Sequence, residues 1–265
     1  MQDRVNDPQH PVNYGLALSP QFCIKKYKMG QTLESKKIIV AGGTSGIGLA
    51  LVKLLADERA SVTAIGRDQV KLSALKKEWP AVEGVRLDAR DRPALDNFFR
   101  GGQPIDHLVL ALGSSKGGGA FTALSLDELR LGFDGKVWPQ LQVLQAALPF
   151  MSPGGSVTFI TGCAATAGLP GTAGLAAINA ALESMIPVLS KELKPLRVNA
   201  ISPGLIDTPW WDFLPADAKN QVFTDFTAQV SLGRVGRPEE VAKTIRFVMT
   251  TEYINGVVIG CHGGL

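Results

Sequence analysis

Lys37-Ile38-Ile39-Val40-Ala41-Gly42-Gly43-Thr44-Ser45-Gly46-Ile47-Gly48 sets an apolar run directly before a glycine-rich turn. The run reads as a buried strand, and Ile47, Leu51, Leu54 and Leu55 then recur at helical spacing. A strand-to-helix turn leaves N–H groups at the helix N-terminus without partners, and glycines let a pyrophosphate come close to them. Gly42, Thr44, Ser45, Gly46, Ile47 and Gly48 are therefore candidate dinucleotide-binding residues. A turn that merely packs helix on sheet has the same glycines. The preceding strand, the amphipathic helix and a second apolar run at Ser61 favour the cofactor.

The alternation continues outward from this stretch. Ser61–Ile65, Val85–Leu87, Leu108–Leu112, Val157–Thr161, Arg197–Ile201 and Val257–Gly260 read as further strands. Helical stretches lie around Trp138–Met151, from about Gly174 to Leu193, and from Pro238 to near Thr250. Strands alternating with helices predict an α/β fold with a parallel sheet covered on both faces. The expected architecture is a three-layer Rossmann fold, a doubly wound seven-stranded sheet, in a single domain over residues 37–265. Residues 1–36 carry Pro8, Pro11 and Pro20 without sustained periodicity. A flexible extension is expected there, or a start upstream of a true initiator at Met29.

Bulk properties narrow the partners. A formal charge of +3 over 265 residues, with no long basic run, argues against nucleic acid. Cys23, Cys163 and Cys261 are too scattered for a disulfide framework, so a reducing, cytoplasmic location is expected. No uninterrupted apolar stretch reaches the length of a membrane span, and neither a membrane partner nor a metal site is expected.

Gly66-Arg67 ends the second strand, where NAD-preferring dinucleotide folds place an acid. A guanidinium bonds a 2′-phosphate that a carboxylate would repel, so NADP(H) is the expected cofactor. Arg67 as a solvated loop charge is the competing reading. Asp88, after the third strand, is placed either to bond an adenine edge or to cap the next turn.

From about Lys37 to Leu265 the sequence resembles the short-chain dehydrogenase/reductase family. The glycine turn, Asp88, Gly113, Arg197-Val198-Asn199-Ala200-Ile201-Ser202-Pro203-Gly204, Ile206-Asp207-Thr208-Pro209 and Gly263-Gly264 all fall in family order. The resemblance implies that Gly113 borders the cofactor, while Pro203, Gly204, Ile206 and Thr208 line the nicotinamide and its phosphate. It also implies a homodimer or homotetramer built through the helices flanking the fifth strand. Leu182, Met185, Ile186 and Leu189 are the apolar positions permitting such contacts.

In that family a tyrosine hydroxyl supplies the proton while hydride passes from nicotinamide. A lysine four residues on shares its helical face and lowers the phenol's pKa. A serine orients the substrate oxygen, and an asparagine anchors a relay water. By resemblance the tyrosine, lysine, serine and asparagine positions are Leu175, Asn179, Gly162 and Lys136. The tyrosine mechanism is therefore expected to be absent. Three candidates remain: Lys136, whose ammonium would replace the charge missing at 179; Thr161, whose hydroxyl neighbours Gly162; and Asn179, which can bond ribose hydroxyls. Each has an ordinary alternative as a snorkelling surface lysine, a strand residue or an unliganded helix residue. Cys163 has no evident histidine partner and reads as an inert thiol.

Trp210, Trp211, Phe213, Phe223 and Phe226 fall in the family's substrate-lid segment. They suggest a pocket for an apolar or planar small molecule, although packing against neighbouring helices explains them equally well. Two functional readings follow. One is an NADP(H)-dependent oxidoreductase acting on an unknown carbonyl or alcohol through a non-standard proton donor. The other is a non-catalytic NADP(H)-binding sensor or scaffold. A lyase-like activity is weaker, because relatives of that kind tend to lose the glycine cradle.

Overall fold

The computed structural model of the chain describes residues 32–265, so most of the expected N-terminal extension lies outside the described residues. In chain order the elements are β1 (Lys37–Ala41), α1 (Gly46–Asp57), β2 (Ser61–Gly66), α2 (Gln69–Glu78), β3 (Glu83–Arg86) and α3 (Arg92–Arg100). They continue with β4 (Ile105–Leu110), α4 (Leu126–Ala147), β5 (Met151–Ile160) and α5 (Ala173–Glu192). The last are β6 (Arg197–Pro203), α6 (Ala216–Thr227), α7 (Pro238–Thr250) and β7 (Val258–Cys261).

All neighbouring strands pair in parallel in the order β3-β2-β1-β4-β5-β6-β7. The chain steps outward from β1 to β3, crosses to β4 on the other side of β1, and steps outward again to β7. Winding reverses between β1 and β4, and a crevice opens beyond their C-terminal ends.

Strand alternation divides the core cleanly. Ile39, Leu108, Leu110, Val157, Phe159 and Val198 face a layer containing Phe99 of α3, Val143 of α4, and Ile178, Leu182 and Ile186 of α5. Ile38, Val40, Val62, Val109 and Ile201 face the opposite layer, with Leu51 and Leu55 of α1, Leu75 of α2 and Ile245 of α7. A sheet buried on both faces gives the continuous apolar runs seen in the sequence.

Four details depart from expectation. Leu33 is 1% exposed and packs with the α1–α7 layer, so the folded body begins before Lys37. The helix expected around Trp138 opens at Leu126, where Ser125 Oγ accepts from the Asp127 N–H at 3.2 Å. Leu182 and Ile186 are fully buried against the sheet and are not available for the subunit contacts expected of them. Finally, α5 is by length and composition apolar enough to cross a membrane, yet it packs Ile178, Leu182 and Ile186 into the core against the sheet.

Candidate active site

The turn from β1 into α1 is tied down by Gly42 N–H and Gly43 N–H, both donating to the Ile65 carbonyl at 2.9 and 3.2 Å. Gly42 and Gly46 have φ of +86° and +52°, which side chains rarely adopt. A Cβ on Gly48 would lie 2.1 Å from the Gly42 carbonyl oxygen, so helix and turn touch there. The helix ends differ in one respect that matters. Asp68, Asp91 and Ser125 cap α2, α3 and α4 with side-chain oxygens, whereas Ser45 offers no such bond to α1, nor do Thr172 and Pro215 to α5 and α6; of these three, only α1 begins in the glycine-rich turn from β1. The first N–H groups of α1 are left for an external anion, where the helix dipole also favours negative charge.

Ser45, Gly46, Ile47 and Gly48 line a cavity of about 890 Å³ in the crevice between β1 and β4. Gly113, Pro203, Gly204, Ile206 and Thr208 line the same cavity, as do Lys136, Thr161, Gly162, Leu175 and Asn179. Gly42 and Thr44 lie beneath the turn, with the Thr44 side chain against Gly66. Arg67 and Asp88 are not part of the cavity wall. Arg67 is exposed and makes no hydrogen bond or ion pair with the described residues. Asp88 takes the capping alternative: its carboxylate accepts from the Arg90 backbone at 3.0 Å and from the Arg90 guanidinium at 2.6 Å. That guanidinium holds the carboxyl down to about 2. Lys71, which no motif singled out, lines the cavity from the first turn of α2.

The opposite wall carries the polar chemistry. Lys136 Nζ donates to Asn179 Oδ1 at 2.6 Å and to the Thr161 carbonyl at 2.8 Å. Burial outweighs the attraction of Glu183 and brings the ammonium down to about 8. Asn179 is buried and uses Nδ2 to donate to the Leu175 carbonyl at 2.8 Å. Gly162 makes room for this amide, since a Cβ there would lie 3.2 Å from Asn179 Nδ2. The Thr161 hydroxyl donates to Glu183 Oε1 at 2.6 Å, with the Ile201 carbonyl at 3.2 Å as its alternative acceptor.

Glu183 was not legible as a site residue. Its one sequence cue is its position four residues after Asn179, which places both on one helical face. Burial pushes the Cys163 thiol up to about 11, away from thiolate reactivity. Tyr253 is fully exposed, and Tyr14 and Tyr27 lie outside the described residues, so no described tyrosine reaches the cavity.

The segment after β6 gives the cavity an aromatic wall. The rings of Trp210 and Trp211 meet edge to face at 4.6 Å, Trp210 and Phe213 at 5.3 Å, and Trp211 and Phe223 at 5.7 Å. Trp210 Nε1 donates across the crevice to the Ser114 carbonyl at 3.0 Å, and Trp211 Nε1 to the Ile206 carbonyl at 3.0 Å. Phe226 completes the lining from α6. Aromatic walls with a few fixed polar groups are the usual make-up of a small-molecule pocket.

Comparison with known proteins agrees with this architecture. The family model described as Enoyl-(Acyl carrier protein) reductase matches residues 41–265. The 3-oxoacyl-[acyl-carrier-protein] reductase FabG of Thermotoga maritima is 32% identical over 251 residues, covering 88% of this chain and 98% of that protein. L-xylulose reductase of Bos taurus is 28% identical over 252 residues, covering 89% and 98%. A crystal structure of a small-chain dehydrogenase in complex with NADPH superimposes with a TM-score of 0.74 at 30% identity, covering 87% and 98%. Sequence and structure agree along nearly the whole described length, and the chain belongs to the short-chain dehydrogenase/reductase family.

Proposed function

We propose that the protein is an NADP(H)-dependent oxidoreductase acting on a carbonyl or alcohol, with Lys136 handling the proton that the family assigns to tyrosine. The observation that carries this reading is the 2.6 Å bond between Lys136 Nζ and Asn179 Oδ1 on the cavity wall. By resemblance the family places asparagine at 136 and lysine at 179. The two residue types have changed places here, and their side chains still touch.

The uncapped start of α1 and its glycine turn fit a dinucleotide. The N–H groups of Gly46, Ile47 and Gly48 would hold the pyrophosphate, and Arg67 and Lys71 would meet a 2′-phosphate. A bound nicotinamide supplies or takes up the hydride. Lys136 has three N–H groups, of which Thr161 and Asn179 occupy two. The third is free to donate to a substrate oxygen. At about 8 the ammonium is a stronger acid than a free phenol near pH 10, so both of its forms are accessible around neutrality. Trp210, Trp211 and Phe226 exclude water and favour a substrate with an apolar or planar body. Leu175, which has no exchangeable proton, is the observation favouring the second reading, a binding protein without turnover.

The deciding experiment is titration with NADPH and NADH, followed by a carbonyl and alcohol panel run on the wild type and on Lys136→Met. The proposal expects NADPH to bind roughly tenfold or more tightly than NADH. It also expects turnover to fall by about 10²–10⁴-fold in the variant. Tight NADPH binding with no turnover on any substrate supports the sensor reading. No binding of either nucleotide overturns both.

A further inference from the structure

The Lys136 ammonium belongs to a patch of polar side chains gathered from α4, the end of β5, α5 and β6. Glu183 is its hub. Oε1 of Glu183 accepts from Thr161 Oγ1 at 2.6 Å and from Ser202 Oγ at 2.9 Å, joining the end of β5 to β6 through α5. The carbonyl of that same Thr161 accepts from Lys136 Nζ. No ion pair within 4 Å joins Glu183 to Lys136 among the described residues, so the carboxylate acts through Thr161 and through space.

We propose that Glu183 is a positioning residue of the candidate site, locking the Thr161 strand end that anchors Lys136 and supplying the negative charge required by a lysine carried on α4. This rests on the reading of Lys136 as the proton-handling group. A carboxylate that only tied α5 to the sheet would serve equally well as a neutral amide. The surroundings of the ammonium are what make the charge matter. One helical turn away on α4 stand Gly132 and Gln140, both uncharged. From α5 comes the Asn179 amide and from the end of β5 the Thr161 carbonyl, while the Ser202 hydroxyl of β6 and the Cys163 thiol, which burial keeps neutral, neighbour Glu183. Among the described residues Glu183 is the acid whose charge is felt at Lys136, and it favours the ammonium while burial opposes it.

The test follows the lysine side-chain signals of isotopically labelled protein by NMR across pH, with Lys136→Met identifying the signal. The wild-type Lys136 signal is expected to titrate well below the other lysines. In Glu183→Gln, which keeps an acceptor for Thr161 and Ser202, its midpoint is expected to fall by about one unit or more, a tenfold change in proton affinity. Glu183→Asp keeps the charge but draws it back by one methylene, and is expected to shift the midpoint less, in the same direction. An unchanged midpoint in Glu183→Gln overturns the proposal. If that variant does not fold, an unchanged midpoint in Glu183→Asp does the same. A wild-type Lys136 that titrates with the surface lysines also overturns it. Calorimetry of the wild type with NADPH is read separately. Failure there removes the oxidoreductase reading and leaves the midpoint comparison standing.

Discussion

A methyl group on Gly48 would collide with the Gly42 carbonyl oxygen, which is why the turn-and-helix contact admits hydrogen alone. Gly48→Ala is expected to raise the Kd for NADPH about tenfold or more and to destabilise the fold by about 1–3 kcal/mol. Calorimetry and urea unfolding measure the two effects. Lys136 gives a second prediction. Its folded value of about 8 lies below the ordinary 10.5, so between these limits the unfolded chain holds the proton and the folded chain does not. Stability contributed by this site therefore rises with pH across that window, and below it the full penalty of the buried charge remains. Lys136→Met is expected to abolish this rise, seen as a smaller difference between urea midpoints measured at roughly pH 7 and pH 10. The glycine turn was plain from sequence because the chemistry dictates its spacing. Glu183 and Lys71 were not, because a carboxylate meeting hydroxyls on two strands leaves no local pattern.

The helix carrying Lys136 was half hidden for a physical reason. Gly132, Gly135 and Pro139 are poor helix residues, and they obscured the first turns of α4. Packing explains the two glycines. A Cβ on Gly132 would lie 2.5 Å from Ile178 Cδ1 and 2.8 Å from the Lys116 carbonyl oxygen, and one on Gly135 would lie 2.8 Å from Ser114 Cβ. Their smallness lets α4 approach α5 and the loop after β4 closely, which brings Lys136 within reach of Asn179. The aromatic segment after β6 was legible as a group, while its bond to Ser114 was not. Trp210→Phe keeps an aromatic ring, smaller than the indole, and removes that bond, so NADPH is expected to enter about two- to tenfold faster with little change in the affinity for apolar ligands. Stopped-flow binding measures the entry rate. A rate equal to wild type would show that the crevice does not open by this route.

Across the whole molecule, the α/β class was legible because every sheet strand buried on both faces leaves an apolar run. The outward faces were less so, since burial of Leu182 and Ile186 depends on how α5 is rotated. Exposed apolar side chains on these helices include Leu126, Leu131 and Trp138 of α4, the last two lying two turns apart at 49% and 52% exposed, and Val188 of α5 at 50%. If subunits meet through this face, Trp138→Glu converts the oligomer to monomer, which light scattering on a sizing column detects. Acid stability has a separate source. His107 is buried in β4, bonded through Nδ1 to Ser156 Oγ at 2.8 Å, and burial brings it to about 4. The unfolded chain takes up this proton first, so stability falls as pH drops from about 6.5 to about 4. His107→Asn is expected to remove about 2 kcal/mol of the loss between pH 7 and pH 5. Urea unfolding of both proteins at the two pH values measures it.

Of the four tryptophans in the chain, Trp210 and Trp211 stand at the cavity while Trp79 and Trp138 do not. Reduced nicotinamide absorbs the light that indoles emit. Half of the protein's indoles thus sit where a cofactor would arrive, and the molecule carries its own optical gauge of occupancy, readable before any substrate is known.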